Sequence, residues 1–143
     1  MKNGVIFLAR ILLAFLFIQA GWGKIFTYDS VSGYMESKGV SGQLLPLVIL
    51  LELGGGLAIF TGTLTKLTAF SIALFTFISG VLFHFDPSAH TQMVHFYKNM
   101  SISGGYLALG VLGGGVYSVD SLLVKKRYKS NKWLCFITLS RNA

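Results

Sequence analysis

LLPLVILLELGGGLAIFT, Leu44 to Thr61, is the stretch that decides the fold. It is apolar from end to end except for Glu52. A helix needs about 17–25 such residues to cross a hydrocarbon core about 30 Å thick, and this run supplies them. A carboxylate near the middle of such a span costs about 2.5–3.5 kcal/mol on insertion scales. It is tolerated when it faces the protein interior, finds a partner or keeps its proton. Glu52 is therefore the first candidate for a functional group.

Working outward, three further runs have the same character: Val5 to Gly21, Leu67 to Phe83 and Met100 to Val119, the last with a helix start nearer Thr91. The first carries Arg10; the other two carry no charge. The chain has 143 residues, 53% hydrophobic and 12% charged. A soluble domain carries about 25% charged residues, so composition selects the membrane class. Continuous apolar runs without alternation exclude a barrel. In lipid, every backbone donor and acceptor must be paired within a segment, which makes the runs helices. The fold expected is all-α, an integral membrane four-helix bundle. Its membrane domain covers residues 1–120, followed by a basic cytoplasmic tail, 121–143.

The connections add detail. Gly62 to Lys66 is too short for anything but an antiparallel turn between the second and third spans. His84 to Asn99 reads as a loop holding all three histidines and Asp86. In the first loop, Asp29 to Lys38 places Val31, Tyr34 and Met35 on one side at helical spacing, and Gly39 stops it. That pattern predicts a short amphipathic helix lying in the interface between helices 1 and 2. Gly54, Ala58 and Gly62, and likewise Gly104 with Ala108 and Gly110 with Gly114, are spaced for close helix packing.

The net charge of +7 is concentrated at the C-terminus, in Lys125, Lys126, Arg127, Lys129, Lys132 and Arg141. With Lys2, Arg10 and Lys66 on the same side, Lys24, Lys38 and Lys98 fall opposite, and both termini are expected in the cytoplasm. After hydrophobic spans, a basic block reads as a topology signal and a contact for anionic headgroups. It lacks the basic face on a folded module that nucleic-acid binding requires. The apolar patch Trp133 to Leu139 is too short to span.

Several chemistries drop out. The single cysteine, Cys135, excludes an internal disulfide and a C-x-x-C dithiol. Arg10 and the Ile18-Gln19-Ala20 stretch make a poor cleavable signal. Gly113-Gly114-Gly115 has neither the strand before it nor the lysine after it that a phosphate loop needs. His84, His90, His95 and Asp86 lack metal-ligand spacing, so no metal is expected. No Ser-His-Asp arrangement or dinucleotide fingerprint is present.

What remains is a set of polar groups at membrane depth. Counting residues from the span ends puts Arg10 about 6 Å in height from Glu52 at 1.5 Å per residue. An ion pair between them is one expectation; snorkelling of Arg10 to the cytoplasmic headgroups is the other. Gln19, Lys24, Lys98 and Asn99 are expected as a polar cup at the outer mouth, above Glu52. Trp22, Phe26, Tyr28, Phe83, Phe85, Phe96 and Tyr97 ring that height, either as an interfacial belt or as the wall of a pocket. An aromatic slot with a few polar groups suits a quinone. Glu52, His84 and His95 are the candidates for proton transfer.

Arg10 with Leu13-Ala14-Phe15 and Gly21-Trp22-Gly23-Lys24-Ile25-Phe26 resembles the first helix of the DoxX family. Glu52-Leu53-Gly54-Gly55-Gly56 with Thr61-Gly62 resembles its second helix. Lys98-Asn99 with Ser103-Gly104-Gly105 looks like the start of its fourth. The resemblance runs from Val5 to Asp120. It implies a small four-helix bacterial inner-membrane protein with cytoplasmic termini, whose relatives include membrane subunits of quinone-linked sulfur oxidation. The positions it marks are Arg10, Lys24, Glu52, Lys98 and Asn99; the tail from Ser121 departs from its usual short ending. The leading expectation is an accessory or partner subunit of a membrane redox or envelope-stress system, without a self-contained catalytic motif. A quinone-binding oxidoreductase subunit is the alternative, and a small-solute transporter a third. The expected partners are the bilayer, an oxidoreductase and further copies of the chain.

Overall fold

The computed structural model describes residues 2–127, which form helices and turns with no strand among them. The helices are α1 (Lys2–Phe26), α2 (Tyr28–Ser37), α3 (Gly42–Thr61), α4 (Thr65–His84), α5 (His90–Leu112) and α6 (Val119–Arg127). Three of them, α1, α3 and α4, are long and apolar enough to cross a membrane. α5 has 23 residues but falls short of the same hydropathy. His90, Gln92, His95, Lys98 and Asn99 occupy its first turns. Residues 128–143, with Cys135 and the patch Trp133 to Leu139, lie outside the described residues.

The helix exteriors are apolar. On α1, Leu8, Leu12 and Phe15 face outward, while Ile6, Arg10, Ala14, Phe17 and Gly21 form the buried stripe. Water-soluble monomers rarely expose contiguous apolar patches beyond a few hundred Å². An all-round apolar surface on helices of spanning length is what lipid contact requires.

Antiparallel pairs build the core. α1 runs against α3, with Gly21 at Leu53 and Gly56 at Ile18, approaches too close for a Cβ. α4 runs against α5, where the Ser103 hydroxyl donates to the Ala73 carbonyl at 2.9 Å and Gly110 seats the Phe70 ring. α1 meets α5 through Tyr106, which donates to the Leu13 carbonyl at 2.9 Å and packs edge-on against Phe17. Ala14, Phe17, Ile59, Ala69, Ile72, Tyr106 and Leu109 form the centre.

α2 forms close to the expected bounds and buries Met35. The Tyr34 ring lies 5.8 Å from Phe83, so α2 leans on the end of α4. One expected helix end differs, and the expected start near Thr91 holds to within a residue. The fourth apolar run was expected to continue to Val119, but α5 stops at Leu112, because Gly113 (φ +75°) and Gly115 (φ +72°) take left-handed conformations that end a helix. At its other end, α5 starts at His90, so His90 and His95 belong to a helix and the connecting loop shrinks to 85–89. Polar sequence at a helix start reads like a loop; hydropathy does not separate the two.

α3 and α4 each contain a π-helical turn, Leu50–Gly54 and Gly80–His84. The extra residue in such a turn displaces side chains from α-helical register, and these turns recur at functional sites.

Candidate functional site

Glu52 sits in the π turn of α3, 6% exposed. Its partner is Lys24 in the last turn of α1, with Nζ donating to Oε2 at 2.6 Å. The expected Arg10–Glu52 pair does not form. Gly21 lies level with Leu53, and Gly62 lies level with Arg10, so the C-terminal end of α3 faces Arg10. Arg10 and Gly21 are eleven residues apart, which puts Arg10 about 16 Å from the height of Glu52. The offset predicted from span ends failed because α1 begins well below the end of α3.

Arg10 does not snorkel either. It is 1% exposed and donates from Nη1 to the Gly114 carbonyl at 2.6 Å and from Nη2 to the Phe60 carbonyl at 3.0 Å. A Cβ on Gly62 (φ +74°) would lie 2.6 Å from Nη1, so glycine is required there on two counts. Asp120, fully buried, accepts from the backbone N–H groups of Leu64 and Thr65, both at 2.8 Å. It thereby caps the start of α4 and holds Leu64 at φ +48°, a costly conformation for leucine. Sequence reasoning missed Asp120. The available signal was its isolation: it is the one Asp or Glu after Asp86, just before the run of lysine and arginine that starts at Lys125.

Glu52 also borders a cavity of about 360 Å³ enclosed by α1, α3, α4 and α5. Its polar lining is Glu52, Thr76, Ser79, His95, Lys98 and Asn99. Its walls are Leu16, Phe17, Ala20, Phe75 and Ile102. Of the expected cup, the structure brings Lys24, Glu52, Lys98 and Asn99 to one place, but leaves Gln19 exposed on α1 and off the cavity lining. The aromatic ring expected around the cup does not line it: Trp22 and Phe26 pair on the outside of α1, and Phe85, Phe96 and Tyr97 stack on one another. Phe17 and Phe75 supply the aromatic wall instead.

Gly80 in the second π turn lets Asn99 come close, since a Cβ there would lie 3.0 Å from that of Asn99. His95 reaches the cavity because α5 begins early. Its ring lies 5.2 Å from that of His84, whose Nδ1 is 2.9 Å from Gln92 Oε1. Glu52 and His95 thus share the cavity lining, and His84 lies against His95. Beyond them, Asp86 accepts from both the hydroxyl (2.6 Å) and the N–H (3.0 Å) of Ser88. These bonds, the hydroxyl's foremost, hold its carboxyl below the usual aspartate range. No group of three His, Cys, Asp or Glu side chains fit to hold a metal occurs among the described residues.

A family model described as DoxX matches residues 5–85. The chain is 52% identical over 121 residues to the inner membrane protein YqjF of Escherichia coli (strain K12), covering 85% of this chain and 93% of that one. It is 28% identical over 123 residues to the inner membrane protein YphA of the same organism, covering 81% of this chain and 88% of that one. No solved structure matches it.

Proposed function

The chain belongs to the DoxX family, and from that premise we propose that it is a bacterial inner-membrane subunit that binds a quinone-type ligand beside Glu52 for a partner oxidoreductase. In this reading α1, α3, α4 and α5 are the four spans of a bundle, α2 lies in the outer interface, and both termini face the cytoplasm. The inner-membrane placement draws on the names of both relatives. α5 crosses despite its polar start because His95, Lys98 and Asn99 line a cavity, where polar groups at membrane depth are tolerated.

The observation that carries the proposal is the cavity's composition. An apolar, aromatic-walled space with a small set of convergent polar groups is how small-molecule sites are built. Lys98 and the Asn99 amide are hydrogen-bond donors for carbonyl oxygens. Glu52, held by Lys24, is a carboxylate at the cavity wall, placed to exchange a proton with a bound group. His95, exposed and on the same cavity lining, offers that proton a route out, with His84 beside it. A quinone supplies reversible two-electron chemistry when bound; the electrons are expected from the partner.

The test is purification in mild detergent, solvent extraction and mass analysis. Quinone recovered from wild type and lost in Glu52→Gln supports the proposal. A second reading rests on the Lys24–Glu52 bond, which ties α1 to α3 and serves helix registry alone. It predicts no extractable ligand and a Glu52→Gln variant that loses only thermal stability. Solute uptake into sealed vesicles would favour transport over both.

A further inference from the structure

The cavity beside Glu52 does not close at its edge on α5. A second, open groove of about 390 Å³ runs along α5, lined by Val94, Tyr97, Lys98, Ser101 and Ile102. Lys98 and Ile102 line both spaces. The two spaces therefore adjoin at these residues, and Leu16 on α1 and Lys98 on α5, which face each other at that edge of the cavity lining, are both exposed.

The packing explains the gap. α1 touches α5 low in the bundle, where Leu13 lies against Gly105 and its carbonyl accepts from Tyr106. Higher up, α1 is drawn to α3 by the close approach of Gly21 to Leu53 and by Lys24 on Glu52. Above Ile102 the opposing walls are Leu16 and Ala20 on α1 and Lys98 on α5, all lining the cavity. The groove beyond is largely apolar, since the Ser101 hydroxyl is already used on the Tyr97 carbonyl at 3.0 Å.

We propose that this gap is a lateral portal and that the groove on α5 seats the hydrocarbon chain of the ligand. This rests on the quinone-type reading above and names the part of the ligand that reading leaves open. Size decides it. At about 360 Å³ the inner space is near the lower end of the roughly 300–1,000 Å³ usual for small-molecule sites, room for one ring and its substituents but not for a long chain as well. A lipid-soluble ligand must therefore lead its chain out, and the groove starts at the two residues where the chain would emerge. The head is held by Lys98, Asn99 and the Glu52 end of the cavity. The chain lies on Val94, Ser101 and Ile102, and exchange occurs with the bilayer rather than with the aqueous side.

The experiment compares two probes on the purified full chain in nanodiscs: a tetramethyl benzoquinone with no chain, and the same ring carrying an isoprenoid chain. Ser101→Trp fills the exposed groove and leaves the inner cavity's lining unchanged. The expected result is a loss of at least about tenfold in affinity for the chain-bearing probe, one decade in Kd, with the chainless probe unaffected. A photoreactive group on the chain is expected to label the segment Val94 to Ile102. An unchanged affinity of the variant for the chain-bearing probe, an equal loss for both probes, or labelling confined to other helices, overturns the portal. Displacement of a co-purified phospholipid with both probe affinities unchanged overturns it too and assigns the groove to bulk lipid. Binding of neither probe to wild type overturns the quinone-type reading, and the portal with it.

Discussion

Gly21→Ala separates this packing scheme from any looser one. A Cβ at this position would lie 2.6 Å from the Leu53 backbone nitrogen, 2.8 Å from its Cβ and 3.0 Å from its Cα. Ordinary contact begins near 3.4 Å, so α1 and α3 must part by about 0.8 Å, and the obstacle is backbone that cannot swing aside. Overpacking of this kind costs about 1–3 kcal/mol. The same separation stretches the Lys24–Glu52 bond one turn away. A hydrogen bond between charged groups is worth about 1.5–3 kcal/mol; Lys24 is a quarter exposed, which reduces this to about 1 kcal/mol after solvent screening. Against both, alanine in place of glycine in a helix contributes about 1 kcal/mol. The net expectation is a loss of about 1–3 kcal/mol, by combination of these terms.

Gly23→Ala is the internal control. It lies two residues along the same helix, and a Cβ there meets nothing within 4 Å. It receives the helix-propensity gain without the clash and is expected to be neutral or stabilising by up to about 1 kcal/mol. Unfolding of both variants in mixed micelles, followed by helical circular dichroism, reads the difference directly. If Gly21→Ala unfolds within about 0.5 kcal/mol of Gly23→Ala, the close approach of α1 to α3 is wrong, and the register that brings Lys24 to Glu52 goes with it.

Three other expectations follow from particular contacts. In a double-mutant cycle of Lys24→Met and Glu52→Gln, unfolding free energies in micelles should show a coupling of about 1–2 kcal/mol for a partly buried charged hydrogen bond; additive losses refute the pair. Asp120→Ala removes the cap on α4 and strands the buried Thr65 N–H, for an expected loss of about 2–4 kcal/mol, and hydrogen exchange at Leu64 and Thr65 should rise before the rest of α4. The Asp86 turn should depend on pH in one direction: because Ser88 holds the folded carboxyl below its ordinary value, the turn's order is complete above the usual aspartate range of about 3.9 and is lost as pH falls through the lower folded value. Exchange at the Ser88 amide follows this, and Ser88→Ala should weaken the dependence, leaving the part that the backbone N–H carries.

Much of the scaffold was legible because it depends on residue type along one segment. Apolar runs locate α1, α3 and α4, and the 3.6-residue spacing of Val31, Tyr34 and Met35 locates α2. What was not legible depends on relations between segments. Rise per residue fixes the height of Arg10 within α1, but nothing in the sequence states how far α1 slides along α3. Here Gly21 and Gly56 set that slide, because only at those points do the backbones come close enough to require glycine. The end of α5 was misjudged for a different reason: hydropathy scores Gly113, Gly114 and Gly115 as apolar, while the backbone uses two of them to stop the helix. Glu52, Lys24, Lys98 and Asn99 were found by their rarity at membrane depth, and Gln19, singled out on the same ground, faces away.

α1 places Arg10 toward one end of the protein and Lys24 at the other, and the two are used in opposite ways. Arg10 is buried with a carbonyl on each terminal nitrogen, and Asp120 spends both oxygens on backbone N–H groups. Neither lines either of the two cavities described above, and Gly62 and Gly114 leave no room beside them. Such a junction fixes chain geometry; Arg10 Nε and Thr65 Oγ1 are left without a partner there, but buried. Lys24 and Glu52 hold each other at the edge of open space, beside Lys98 and His95, which are exposed. Between the two lies an apolar layer that includes Ala14, Phe17, Ile59, Ala73 and Tyr106. Substitutions at the Arg10–Asp120 junction should therefore lower stability and leave any extractable ligand in proportion to the folded fraction. Substitutions at the Lys24–Glu52 site should remove the ligand from protein that is still folded. A variant of Arg10 or Asp120 that folds fully yet loses the ligand would contradict this division of labour.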